Sequence, residues 1–304
     1  MSVELVTRPG IDLMAEARSV AGAVDELFAG LLESKGDGRD NLFAAMRHAA
    51  IGGGKRLRPL LTVAAARLFA IDGERALRAG TAVEAIHVYS LIHDDLPCMD
   101  DDDLRRGKPT VHKAFGEATA VLAGDSFHAL AFEIMAHEAT HEDPFVRSEL
   151  VLELARASGT DGMAGGQMMD LAAEEQQLDL AATTRLQQLK TGALIEYSVE
   201  AAAIMARLPH DARLPLRGYA RNIGLAFQIA DDLLDHSGDE NAAGKRLGKD
   251  AEAGKATFVS LLGEDRARAQ ADMLVTQAIE HLHDHGEQGD LLRAIARYAV
   301  ERDR

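Results

Sequence analysis

The sequence predicts an all-α protein: one domain, residues 1–304, with many antiparallel helices around a central cavity. Three observations point there. Apolar residues recur near a 3.6 period over long segments, as at Leu13, Ala17, Val20, Val24, Leu27, Phe28 and Leu31. No stretch alternates convincingly with period two, and no repeat or low-complexity tract appears. Hydrophobic residues make up 47% while aromatics reach only 4% with no Trp, so a large core is available and must be mostly aliphatic.

Residues 12–33 read as the first helix. Ser34 to Asp40 is a glycine-bearing loop, and Asn41 to Ile51 a short helix with Leu42, Ala45, Met46 and Ala49 on one side. Gly52-Gly53-Gly54 stops it. Leu57 to Phe69 is helical again, with Pro59 near its first turn. Asp72-Gly73 turns the chain into a long apolar helix, Glu74 to His93. Pro97 lacks an N–H and its ring clashes with the carbonyl of His93, so the helix should distort or end there. Arg105 to Thr110 reads as a turn-rich loop. Ala118 to His137 is an apolar helix interrupted at Gly124-Asp125, and Phe145 to Ala157 is helical. Gly162 to Leu171 contains Gly165-Gly166-Gln167, small residues that permit close helix approach. Leu178 to Met205 is a long helix broken at Lys190-Thr191-Gly192. Beyond a connection at Pro209 to Pro215, Leu216 to Asp235 is helical. Arg266 to Ala299 forms one or two terminal helices.

The net charge of −16 argues against nucleic acid as a partner. Any anionic substrate must be drawn in by a local basic cluster. The single cysteine, Cys98, excludes an internal disulfide and fits a reducing cytoplasm. No apolar run approaches the ~20 residues of a membrane span. The N-terminus lacks a basic region followed by an apolar core, so a soluble cytoplasmic protein is expected.

Two acidic clusters carry the chemistry. Asp94, Asp95 and Asp100 to Asp103 place six carboxylates within ten residues, followed at once by Arg105 and Arg106. Such a cluster repels itself, and a hard divalent cation such as Mg²⁺ relieves it, with carboxylate, water and phosphate oxygens as ligands. The guanidinium forks match phosphate. Taken alone, this stretch fits a solvated acidic loop or a calcium loop equally well. The second cluster puts Gln228, Asp231, Asp232 and Asp235 on one face of an otherwise apolar helix, which is costly unless something pairs with them. Together, DDxxxxD and DDxxD suggest two walls around one polymetal diphosphate. Cationic features complete the pattern. Lys55, Arg56 and Arg58 follow three glycines at a helix N-terminus, a ready anion site. Lys190 and Thr191 beside Gly192 look like a local break aimed at phosphate. Ser237 to Ala256, with four glycines, Lys245, Arg246, Lys249 and Lys255, reads as a lid closing over phosphate, Lys245 foremost.

In this order the motifs resemble the trans-polyprenyl diphosphate synthases, and within them the bacterial farnesyl diphosphate branch. The resemblance runs from about Asn41 to Leu262 and rests on GGKRLRP at 53–59, Asp94 to Thr110, Gly165-Gly166-Gln167 to Leu171, Lys190-Thr191-Gly192, Phe227 to Asp235 and Gly244-Lys245-Arg246. It implies the isoprenoid synthase fold, a homodimer, and a reaction that joins isopentenyl diphosphate to an allylic diphosphate, dimethylallyl or geranyl. It implies three Mg²⁺ ions, replaceable by Mn²⁺, on Asp94, Asp100, Asp231 and Asp235, with Asp95 either in the metal set or a hydrogen-bond partner. Lys55, Arg58, His87 and Arg106 are expected to hold isopentenyl diphosphate. Arg105, Lys190, Thr191, Gln228 and Lys245 are expected at the allylic diphosphate. Asp94, Asp100, Asp231, Arg105, Lys190 and Lys245 then drive ionisation of that substrate. Tyr89 and Ser90, one turn or so below Asp94, are expected to form a floor that stops growth at C15 farnesyl diphosphate, with C20 geranylgeranyl diphosphate the alternative. A terpene cyclase of similar fold has no need of the isopentenyl site.

Overall fold

Helix ends follow short capping side chains. α1 (Leu13–Leu31) begins where the Asp12 carboxylate accepts the Ala15 N–H at 2.9 Å. α4 (Gly73–Asp94) begins at Asp72, which accepts from Glu74 and Arg75. α7 (Pro144–Ser158) has Asp143 as its cap and Pro144 in its first turn. The computed structural model describes residues 11–173, 178–237 and 256–301. Between these helices run α2 (Asp40–Ala50), α3 (Leu57–Arg67), α5 (Val111–Phe115) and α6 (Glu117–Ala136). Then follow α8 (Met163–Ala173), α9 (Leu180–Gln187), α10 (Ala193–Met205), α11 (Leu214–Ser237), α12 (Phe258–Leu262), α13 (Glu264–Glu280) and α14 (Asp290–Glu301).

α4 is the spine. It packs on α1, α2, α3, α6 and α10, and buries Ala79, Ala82, Val83, Ala85, Ile86 and Val88. Small residues set the spacing: a Cβ on Gly80 would come within 2.9 Å of the Pro59 backbone of α3. A second layer of α10, α11, α13 and α14 closes behind α3. There the fully buried Tyr219 hydroxyl donates to the Leu292 carbonyl at 2.7 Å, satisfying its polar tip.

The all-α expectation holds, with local corrections. α6 is continuous through Gly124-Asp125; Gly124 serves packing, since a Cβ there would lie 2.1 Å from His93 Nε2 of α4. The loop after the first acidic cluster is a minimal antiparallel hairpin, β1 (Leu104–Arg105) with β2 (Lys108–Pro109). Its two turn residues, Arg106 and Gly107, both have positive φ, 54° and 76°, as a type I′ turn requires. The terminal region is two helices, α13 and α14. No described helix is long and apolar enough to cross a membrane.

Candidate active site

The first acidic cluster folds back on itself. α4 ends at Asp94, three residues before Pro97. The next six residues form a tight turn in which the Asp100 N–H donates to the Asp94 carbonyl at 2.8 Å and the Asp101 N–H to the Leu96 carbonyl at 3.2 Å. This brings Asp100 back beside Asp94. The Asp94 carboxyl is pushed up to about 6 by burial, eased by Lys190 and aggravated by Asp100. Asp95 has a different fate. It is 3% exposed and takes Arg105 Nε at 2.7 Å on Oδ1. A second Arg105 nitrogen lies 2.5 Å from the same oxygen and 3.6 Å from Asp102. Asp95 therefore sits where a hydrogen-bond partner of Arg105 belongs, while Asp94 is half-buried and Asp100 exposed.

The cationic wall stands around His87, two turns earlier on the same helix. His87 shares it with Arg58 and Arg106. Burial first, then the charges of Arg58, Arg106, Arg105 and Arg56, hold the imidazole well below its ordinary value of 6.5. Burial also lowers Arg58, with Glu84 opposing and Arg106 reinforcing, and Arg58 Nε is buried with no hydrogen-bond partner among the described residues. Arg106 reaches across from the hairpin and lies on the glycine loop; a Cβ on Gly54 would meet its guanidinium at 2.6 Å and one on Gly53 at 3.3 Å. The hairpin is pinned there. Lys108 Nζ donates to the Ile51 carbonyl at 3.2 Å, and His48 Nε2 lies 2.7 Å from the Pro109 carbonyl oxygen. Lys55 is exposed at the loop's end. Cations crowded this closely, with an unused donor among them, are arranged for an anion.

The predicted break at Lys190-Thr191-Gly192 is a π-helical turn, Gln188–Gly192, joining α9 to α10. Such turns swing side chains out of register. The turn packs on α8 and α11. Lys190 Nζ pairs with Asp170 of α8 at 2.7 Å and also acts on Asp94. Gly166 makes this fit possible: a Cβ would be 2.2 Å from the Lys190 backbone nitrogen. On α11, Gln228, Asp231 and Asp235 are half-buried. Asp232 is turned to structural use, accepting the Phe258 N–H at 2.7 Å at the start of α12. Lys245 and the rest of the expected lid lie outside the described residues.

The sequence profile described as polyprenyl synthetase matches residues 39–298. The chain belongs to the polyprenyl synthetase family. A farnesyl diphosphate synthase of Escherichia coli (strain K12) is 46% identical over 267 residues, 85% of this chain and 88% of its own length. One of Bacillus subtilis (strain 168) is 43% identical over 265 residues, 87% and 90% respectively. The crystal structure of a Zymomonas mobilis protein described as an FPP/GFPP synthase superposes with a TM-score of 0.87 at 58% identity, over 95% of this chain and 99% of that one.

In this polyprenyl synthetase an aromatic cluster lies beneath the acidic turn. Tyr89 is half-buried there, held edge-on by His93 and His128 at 5.7 and 5.2 Å between ring centres, and Phe132 lies 5.1 Å from His128. Ser90 folds its hydroxyl onto the His87 carbonyl at 2.9 Å. The carboxylates are hard oxygen donors of the kind Mg²⁺ takes. Among the described residues no three His, Cys, Asp or Glu side chains converge to hold an ion by themselves. The burial of Asp94 and its crowding by Asp100 favour a cation with diphosphate oxygens completing its shell.

Arg56, Glu84 and Asp25 escaped the sequence reading. Arg56 looked like one of three equivalent cations, yet it is 2% exposed, with Glu84 of α4 at 2.8 Å and Asp25 of α1 at 2.7 Å. The one available signal was an acid, Glu84, three residues before His87 in an apolar helix.

Proposed function

We propose that this polyprenyl synthetase joins isopentenyl diphosphate to dimethylallyl or geranyl diphosphate and releases (2E,6E)-farnesyl diphosphate. The observation that carries the reading is the layout of α4. Its His87 end joins the cation wall, its Asp94 end joins the acidic turn, and the Tyr89 ring lies between. Lys55, Arg58, His87 and Arg106 hold the diphosphate of the isopentenyl substrate. Arg105, Lys190, Thr191 and Gln228, joined by Lys245, hold the allylic diphosphate against Asp94, Asp100, Asp231 and Asp235. Mg²⁺, three ions replaceable by Mn²⁺, supplies neutralisation of the departing diphosphate when bound.

The allylic C–O bond breaks and the electron pair leaves with the diphosphate, stabilised by Arg105 and Lys190. The isopentenyl double bond, aimed by the cation wall, attacks the allylic carbon. A proton is then lost to the departed diphosphate. No side-chain nucleophile is used. Tyr89, buttressed by two imidazoles, ends the space available to a growing chain. The enzyme works as a cytoplasmic homodimer. Support for pairing comes from α6, an apolar helix whose outer face leaves Val121 and Leu122 41% and 56% exposed.

The test is product analysis. Protein, Mg²⁺, labelled isopentenyl diphosphate and each allylic starter are incubated, and the dephosphorylated products are sized by chromatography. C15 supports the whole reading. C20 or C25 retains the synthase and removes the Tyr89 floor. No incorporation with any starter or with Mn²⁺ rejects the synthase.

A further inference from the structure

The isopentenyl-binding loop rests on a buried arginine that cannot touch the substrate. Arg56 is the N-terminal cap of α3 and adopts the left-handed conformation, φ 48° and ψ 38°. That conformation is rare for a residue with a side chain and persists only where the surroundings impose it. The surroundings here are three separate elements. Arg56 NH1 donates to Glu84 of α4 at 2.8 Å, and NH2 donates to Asp25 of α1 at 2.7 Å and to the Ala50 carbonyl at the end of α2. Asp25 reaches further, accepting the Gly52 N–H on its other oxygen at 2.9 Å. One guanidinium thus ties α1, α2 and α4 beneath the loop, and both ends of Gly52–Arg56 are fixed to one carboxylate, Asp25. The side chain is 1% exposed. With Arg56 turned inward, its neighbours Lys55 and Arg58 are left to the cavity side, Lys55 exposed and Arg58 beside His87 and Arg106.

Glu84 has a second effect. It is 2% exposed and is the carboxylate that opposes the loss of charge on both Arg58 and Arg106, in addition to its direct pair with Arg56. Three arginines therefore share one buried counter-charge.

We propose that Arg56, with Glu84 and Asp25, is a positioning set that fixes the affinity of the isopentenyl diphosphate loop without contacting the substrate. The proposal rests on the assignment of Lys55, Arg58 and Arg106 to that diphosphate. A lysine at position 56 keeps the charge but cannot fork to three acceptors on three elements, so Arg56→Lys loosens the loop. Breaking a buried pair on one side also destabilises the fold, whereas replacing both partners by apolar groups of similar volume is often neutral. Arg56→Lys, which keeps Glu84 in place for Arg58 and Arg106, is therefore the variant that isolates positioning, with R56M/E84M beside it as the test of the whole set and Arg58→Ala as the control for the site itself.

The experiment measures KM for isopentenyl diphosphate and for geranyl diphosphate separately, with thermal midpoint and active-site titration on each variant. The expected result is a rise of about tenfold or more in KM for isopentenyl diphosphate in both Arg56 variants, a displaced loop costing up to ~10²-fold per ångström. KM for geranyl diphosphate stays unchanged. A merely structural role lowers the titratable active fraction and leaves both KM values alone, and that outcome overturns the proposal. Equal rises in both KM values overturn it too. If Arg58→Ala itself leaves isopentenyl KM unchanged, the site assignment fails first, and the proposal fails with it.

Discussion

Substituting Gly166 by Ala tests how tightly the allylic end of the site is built. The added Cβ would stand 2.2 Å from the Lys190 backbone nitrogen, 2.5 Å from its Cα and 2.8 Å from the Leu189 carbonyl carbon. All three are backbone atoms, so no side chain can swing aside. Ordinary contact begins at 3.4 Å, so α8 and the π turn must separate by about 1.2 Å. Overpacking of this kind costs about 1–3 kcal/mol of stability. The larger effect is on geometry, since Lys190 moves by the same amount and a ~1 Å misplacement costs about 10²-fold in rate. Turnover of Gly166→Ala should fall about a hundredfold. Gly192, inside the Lys-Thr-Gly motif, is the control. Its Cβ would meet only Gln187 O at 3.5 Å and Gln188 Cβ at 3.9 Å, and its φ of −65° suits any residue. Gly192→Ala should be near wild type. Steady-state incorporation of labelled isopentenyl diphosphate, with thermal midpoints to monitor folding, reads both. Full activity in Gly166→Ala, or severe loss in Gly192→Ala alone, would refute the claim that this helix contact sets the position of Lys190.

Three further outcomes follow from the same geometry. Tyr89→Ala should shift products beyond C15 with little change in initial rate, read by chromatography; a mutant that still stops at C15 removes the floor. Asp95→Asn should leave the Mg²⁺ concentration for half-activity within about twofold while KM for the allylic substrate rises, because it weakens a charge-assisted bond to Arg105. Asp94→Asn should instead raise the metal requirement. His87 should give stability a pH dependence. Its folded value lies below the ordinary 6.5, so on acidification the unfolded chain takes up the proton first. Its contribution is full above pH 6.5 and is lost as pH falls toward the depressed folded value. His87→Asn should therefore flatten the decline in urea midpoint between about pH 6.5 and 5; an unchanged slope assigns the decline to other groups.

Much of this arrangement was legible in the sequence because it is local. The spacing of Leu13 to Leu31 gave α1 to within two residues at each end. Pro97 foretold that α4 would end close by, since the ring's clash is with a residue four positions back. The glycine after Lys190-Thr191 marked the π turn. What stayed hidden depends on partners distant in the chain. Arg56 and Arg58 are indistinguishable as letters; only the approach of Asp25 and Glu84, 31 and 28 residues away, turns one inward. Gly124 reads as a helix interruption until the His93 ring of α4 is seen to occupy its missing side chain. The hairpin at 104–109 is two residues per strand, too short for any alternation to register.

The stacking of functions on α4 has a kinetic corollary. From His87 to Asp94 the helix rises about 10 Å at 1.5 Å per residue. On the proposed assignment, the anchor for the incoming unit, the aromatic stop and the metal-facing end are thus engraved on one rod of fixed length. Under the proposed reaction, each round lengthens the product by five carbons while both diphosphate docks stay where they are. The chain can be accommodated only by its tail being fed deeper past Ser90 toward the Tyr89 ring. The catalyst is therefore indifferent to how many units it has added, and the count is kept by depth alone. Evolution can reset such a counter with one side chain at the bottom of the well while leaving the chemistry at its mouth untouched.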